Sequence, residues 1–156
     1  MHRMDLRGDE SVLELGCGPG WFSPTIAARL TSGTLTLCDV QPEMLRLAAE
    51  RLSAHGNVRQ LVTDGTSIPV ADGTFDAVLL SAVLGEVPDR KACLREVRRV
   101  LRDHGTLTVV ETRRDSDFIR RNDLMKLAED SGFSCVASWG PRWEYTVRFR
   151  SSRTAS

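Results

Sequence analysis

The segment Ser11-Val12-Leu13-Glu14-Leu15-Gly16-Cys17-Gly18-Pro19-Gly20 runs from a short apolar stretch into three glycines at alternate positions. The apolar part has the length and composition of a strand, and the glycines end it. Residues 21–30 follow with a helical pattern, in which Pro24 is tolerable only because it falls in the first turn. A glycine-rich turn between a first strand and a helix lets a ligand approach the backbone closely and aims helix N–H groups at it. The spacing here is G-x-G-x-G. Trp21 stands where the dinucleotide pattern G-x-G-x-x-G needs its last glycine, so the pyrophosphate cradle is not met. Alone, the loop also fits a plain tight turn.

Outward from this loop, strand-like and helix-like segments alternate, which points to an α/β sheet. Residues 34–38 read as a second strand ended by Asp39. Gln41-Pro42-Glu43 opens a second helix, with Met44, Leu45, Ala48 and Leu52 as its apolar stripe and Gly56 as its stop. Residues 58–62 form a third strand, and residues 75–80, a near-continuous apolar run, a buried fourth. Pro88-Asp89 starts a helix to Arg102, apolar on one face and solvated Arg and Lys on the other. Asp103-His104-Gly105 turns into a fifth strand over 106–111. A helix over 117–131, stopped by Gly132, precedes a hairpin of residues 134–139 and 144–150, with 153–156 as a frayed tail. Crossover connections make the first five strands parallel, and the closing hairpin makes one of the last two antiparallel.

Asp39 and Asp64-Gly65 end the second and third strands, on the same sheet edge as the glycine loop. Open α/β sheets bind ligands at that edge, and an acid after the second strand is placed to hold both hydroxyls of a ribose.

With these residues in place, the chain resembles the class I S-adenosylmethionine-dependent methyltransferases, of the type-11, ubiquinone/menaquinone methyltransferase-like kind. Glu14 to Gly20 looks like their first motif, Asp39 like the ribose acid, and Val40 like the apolar position that packs on adenine. Asp64-Gly65 is similar to the motif whose acid meets the adenine amino group. Residues 68–78 resemble the family's "LPF-D-x-x-F-D-x-V" run. Residues 98–107 resemble its "RVLKPGG-x-L" run, with Asp103-His104 where Pro-Gly is usual. The resemblance covers about residues 11–150. It implies a Rossmann-like, doubly wound, seven-stranded sheet in the order 3-2-1-4-5-7-6 with strand 7 antiparallel, in a single domain. It implies S-adenosyl-L-methionine as cofactor and S-adenosyl-L-homocysteine as product. Glu14, Gly16, Cys17, Gly18, Gly20, Asp39, Val40, Asp64, Gly65 and Ser81 are the expected cofactor-binding residues.

Methyl transfer from a sulfonium is an in-line displacement in which positioning supplies much of the acceleration, and a hydroxyl or protonated amine also needs a general base. Glu86 and Glu111, near the ends of the fourth and fifth strands, are the candidate bases. Family members often carry histidine in the segment around Glu86, and this chain has none there. Trp21 and Phe22 either wall the pocket or anchor the helix. Residues 115–121 with Trp139 and Trp143 lie where acceptor loops often sit, and suggest a small or amphipathic organic acceptor.

The family normally closes over its cofactor with helices before the first strand. Ten residues precede it here, too few for such a lid. A longer parent chain, a partner chain or second copy supplying the lid, or a large acceptor docking on an open crevice would each account for this. The function expected is methyl transfer, with a methyltransferase-fold binding or scaffold subunit as the alternative.

The composition is that of an ordinary globular chain, with 41% hydrophobic and 27% charged residues. Net charge is zero, which gives no specific nucleic-acid signal. Residues 1–89 nevertheless carry net −6 and residues 90–156 net +6. Either the domain is simply charge-balanced overall, or an acidic cofactor half faces a basic face for an anionic substrate or surface. No transmembrane run or signal peptide is evident, so a cytoplasmic location is expected. Cys17, Cys38, Cys93 and Cys135 have no metal-ligand spacing and are expected as free, buried thiols.

Overall fold

The structure, a computed structural model, describes residues 2–152. The expected tail over 153–156 lies outside the described residues. After a short 3-10 turn, His2–Met4, the elements are β1 (Ser11–Leu15), α1 (Ser23–Ala27), β2 (Thr34–Asp39), α2 (Pro42–Arg51), β3 (Val58–Val62) and β4 (Phe75–Ser81). Then follow α3 (Arg90–Val100), β5 (Leu101–Thr112), α4 (Arg121–Asp130), β6 (Phe133–Trp139) and β7 (Glu144–Ser151). All seven strands form one sheet in the order β3-β2-β1-β4-β5-β7-β6, with β7 antiparallel to both neighbours. This is the architecture the sequence implies.

Alternation along the strands divides the core into two layers. Val12, Leu35, Leu37, Ala77 and Leu79 pack towards α1 and α2. Leu13, Leu15, Val78, Leu80, Leu107 and Val109 pack towards α3 and α4. Both faces of the central strands are therefore apolar, which is why β4 reads as a continuous hydrophobic run.

Several boundaries differ from the sequence reading, each for a local reason. The first helix is five residues long rather than ten. Pro24 at its N-terminus prevents an earlier start, and beyond Ala27 the backbone tightens into i→i+3 bonds, Arg29 N–H to Ile26 and Leu30 N–H to Ala27. The second helix ends in similar tight turns after Arg51, without Gly56. Asp89 caps α3 by accepting from the Ala92 N–H at 2.8 Å, so that helix starts at Arg90. The expected turn at 103–105 is a bulge within β5. Register passes from Phe75↔Leu101 to Ala77↔Thr106, with His104 left-handed at φ +64°. Helix α4 starts four residues late, because residues 113–120 are spent in a loop whose Ile119 N–H donates to Glu111.

Two surface expectations are also corrected. Cys17, Cys38 and Cys93 are buried thiols, but Cys135 is exposed on β6, the edge strand. The basic face of α3 is not merely solvated. Arg99 donates to Glu96, to Asp72 and to the Ile68 and Val70 carbonyls, all within 2.7–2.9 Å, stapling the loop before β4 onto the helix. Arg98 donates to the Ser152 carbonyl.

Candidate functional site

The carboxyl ends of β1, β2 and β4 meet in a crevice of about 770 Å³. Its floor is the Gly16–Pro19 loop. Gly16 and Gly18 have φ of +70° and +53°, a region L side chains enter at a cost. The two glycines serve different ends. A Cβ on Gly16 would run into the Val83 side chain, whereas a Cβ on Gly18 would meet nothing within 4 Å and would stand in the crevice itself. Val83 reaches beneath Gly16 because Ala82, a non-glycine residue at φ +54°, turns the chain sharply after β4. Strain in that place is a recurring mark of a ligand site.

Asp39 organises the loop before any ligand is present. Its Oδ2 accepts from the Gly18 N–H and its Oδ1 from the Gln41 N–H, both at 2.9 Å. Each oxygen keeps a lone pair for a further donor. Glu14 is 2% exposed and accepts from the Ser23 hydroxyl at 2.6 Å. Burial outweighs that hydrogen bond and pushes its carboxyl up to about 7. Asp64 behaves oppositely. The Thr66 N–H and hydroxyl both donate to it at 2.8 Å and hold it below the usual carboxylate range. Burial, with Glu14 and Asp39 adding to it, pushes the Cys17 thiol up to about 12, so Cys17 is no nucleophile.

Glu14, Gly16, Cys17, Gly18, Asp39, Val40, Asp64, Ser81 and Glu86 all line this crevice. Gly20 and Gly65 do not. Both have positive φ, and a Cβ on either would press against Ala48 or Leu15 respectively. Glu111 is not on the crevice wall either. It is 1% exposed on the α3–α4 face, with Oε2 accepting from the Ile119 N–H at 3.2 Å and Oε1 without a partner. Burial pushes its carboxyl up to about 7. Trp21 and Phe22 rim the crevice, Trp21 being 70% exposed with Arg51 stacked 3.9 Å from its ring centroid.

A smaller cavity of about 380 Å³ adjoins the crevice and shares Phe22 and Ser81 with it. Val110, Pro141, Glu144 and Thr146 complete much of its wall. Sequence reasoning missed Val83, Glu144 and Thr146. The left-handed Ala82 could not be read from its residue type, and β7 reaches the site only through sheet pairing.

This geometry fits a nucleoside-bearing ligand: an acid with free acceptor capacity at the end of β2, an ionised acid after β3, and an open glycine floor. Residues 13–109 match the methyltransferase domain family, and the chain belongs to it. It is a class I S-adenosylmethionine-dependent methyltransferase by fold and cofactor type. A demethylmenaquinone methyltransferase of Corynebacterium efficiens is 38% identical over 109 residues, covering 70% of this chain and 44% of that protein. A SAM-dependent methyltransferase from Aquifex aeolicus superposes with a TM-score of 0.88 at 20% identity, covering 96% of this chain and 86% of the other. The methyltransferase CalH, solved in complex with SAH, gives a TM-score of 0.83 at 19% identity over 94% of this chain and 52% of that one. The chain spans less than half the length of the curated relatives it matches.

Proposed function

We propose that the chain transfers a methyl group from S-adenosylmethionine to a small organic acceptor seated in the cavity beside Ser81. The observation that carries this reading is the sharing of Phe22 and Ser81 between the cofactor crevice and that second cavity. When bound, S-adenosylmethionine supplies a methyl group on a positively charged sulfur, open to in-line displacement by a nucleophile. The residues of the chain bind and orient. Asp39 holds ribose hydroxyls, Val40 packs on the adenine, Asp64 accepts from its amino group, and the Gly16–Gly18 backbone receives the methionine end. Phe22 and Val110 exclude water on the acceptor side. Glu86, on the crevice wall, takes the proton from a hydroxyl or amine acceptor. A covering partner chain or second copy would bury the open rim of Trp21 and Phe22. The relatives' demethylmenaquinone acceptor does not carry over directly, because the family match ends at residue 109, before Val110, Gly140, Pro141, Glu144 and Thr146 of the acceptor-side wall.

The experiment is release of S-adenosylhomocysteine from S-adenosylmethionine in the presence of small aromatic and carboxylate acceptors. With a hydroxyl or amine acceptor, Glu86→Gln is expected to lower turnover by about 100-fold while leaving S-adenosylhomocysteine affinity unchanged. Cofactor binding without turnover on any acceptor favours the binding-subunit alternative.

A further inference from the structure

Beyond the end of β5 lies the largest of these cavities, about 1050 Å³. Arg113, Arg120, Arg121 and Arg142 line it against two acids, Asp115 and Asp123. Arg121 is committed to structure. Its guanidinium lies 4.9 Å from the Tyr145 ring centroid and donates to the Gly140 carbonyl at 2.5 Å and the Pro141 carbonyl at 3.1 Å. It thereby fixes the β6–β7 turn that carries Arg142, and its Nε is buried without a partner. Arg113, Arg120 and Arg142 form no ion pair among the described residues. Helix α4, ten residues long, also begins here, and no side chain caps it at Arg120. Its first N–H groups carry positive potential, which Asp123 in the first turn partly offsets, so the arginines supply the net charge. Guanidinium forks match the oxygens of carboxylates and phosphates, often two at a time.

The placement says what such an anion would belong to. Gly140 and Pro141 line the acceptor cavity, and the next residue, Arg142, lines this one. Val110 and Arg113, near the end of β5, divide in the same way. The two hollows share no lining residue, but the same β6–β7 turn and the same end of β5 border both. The net positive charge of residues 90–156 gathers in part at this place.

We propose that this cavity binds a carboxylate or phosphoryl group of the methyl acceptor, whose reacting end sits beside Ser81. The inference rests on the acceptor reading above and names the acceptor's chemical class.

The test titrates inorganic phosphate into the full, 15N-labelled chain and follows the arginine Nε–Hε signals by NMR. Saturable shifts are expected at Arg113, Arg120 and Arg142, but not at the exposed Arg59 outside the cavity. The combined Arg113→Gln, Arg120→Gln, Arg142→Gln variant should bind phosphate at least about tenfold more weakly, with S-adenosylhomocysteine affinity unchanged in calorimetry. Shifts that are linear and shared with Arg59, or saturation that survives the triple change, would overturn the proposal. Vesicles of phosphatidylglycerol and phosphatidylcholine separate a lipid headgroup from a free group. Arginine-dependent sedimentation without saturable phosphate binding also counts against it. If the parent chain binds phosphate saturably but not S-adenosylhomocysteine, the methyltransferase reading and the acceptor assignment fail while an anion site stands.

Discussion

The two halves of the sheet hold their ligand-facing groups by different means. Around β1 and β2 the work is done by backbone: glycines at positive φ, and N–H groups fixed on the Asp39 carboxylate. Around β5, β6 and β7 it is done by side chains that approach only because strands distant in sequence pair, as Val110 does with Thr146. The buried acids show the same contrast. Glu14 has a hydroxyl partner and faces the cofactor crevice, whereas Glu111 is closed in with one oxygen unpartnered. Backbone demands leave a mark in residue type, and tertiary side-chain placement does not.

The contrast is broken most severely at Gly16. Gly16→Val would place atoms where Val83 lies, on a backbone that β-branched residues avoid. We expect no measurable S-adenosylhomocysteine binding by calorimetry, together with a lowered melting temperature. At Glu111 the expected effect is on stability alone. The unfolded carboxyl titrates near 4.5 and the folded one near 7, so the folded state binds the extra proton between those values. Stability from this source is complete below about pH 4.5 and is lost as pH rises through 7. Glu111→Gln should flatten that slope, an effect of roughly 3 kcal/mol at most in urea unfolding at pH 8 against pH 4.5. A loss of cofactor affinity in this variant would mean the two halves are not separable.

Asp39→Ala removes the acceptor proposed for the ribose and strands the Gly18 and Gln41 N–H donors. It should weaken S-adenosylhomocysteine binding by about 10- to 100-fold. Glu14 sharpens the picture through pH. Its carboxyl titrates near 7 without ligand, and a neighbouring ligand ammonium favours the ionised form. Affinity should then fall several-fold from pH 7.5 to 6, and Glu14→Gln should remove that dependence. The smallest effect is expected at His104, which holds φ +64° in the β5 bulge and lines neither the crevice nor the smaller cavity beside Ser81. His104→Gly should raise stability by about 1 kcal/mol without touching binding.

Much of the cofactor half was legible in the sequence because its physics is local. A turn that needs left-handed backbone needs glycine, and an acid that ends a strand lies on the ligand edge by construction of the α/β sheet. Strand direction followed from crossover rules, and strand order from the resemblance. What escaped was non-local or conformational. Ala82 does a glycine's work under an ordinary residue name, and Glu144 and Thr146 reach the cavity beside Ser81 only through β5–β7 pairing. Gly20 and Gly65 carry the motif's letters but lie off the crevice wall. Glu111 sits at a strand end like a catalytic acid, yet strand alternation turns it to the α3–α4 face. The basic character of the second half was visible as a charge count, and only the fold gathered four of its arginines around one cavity.

The most direct test of the central claim is calorimetric titration of S-adenosylhomocysteine into the purified chain, with NAD as the control ligand. The crevice described here predicts micromolar binding of the first and none of the second, with the affinity lowered in Asp39→Ala. Absence of S-adenosylhomocysteine binding, or equal binding to parent and Asp39→Ala, would contradict it.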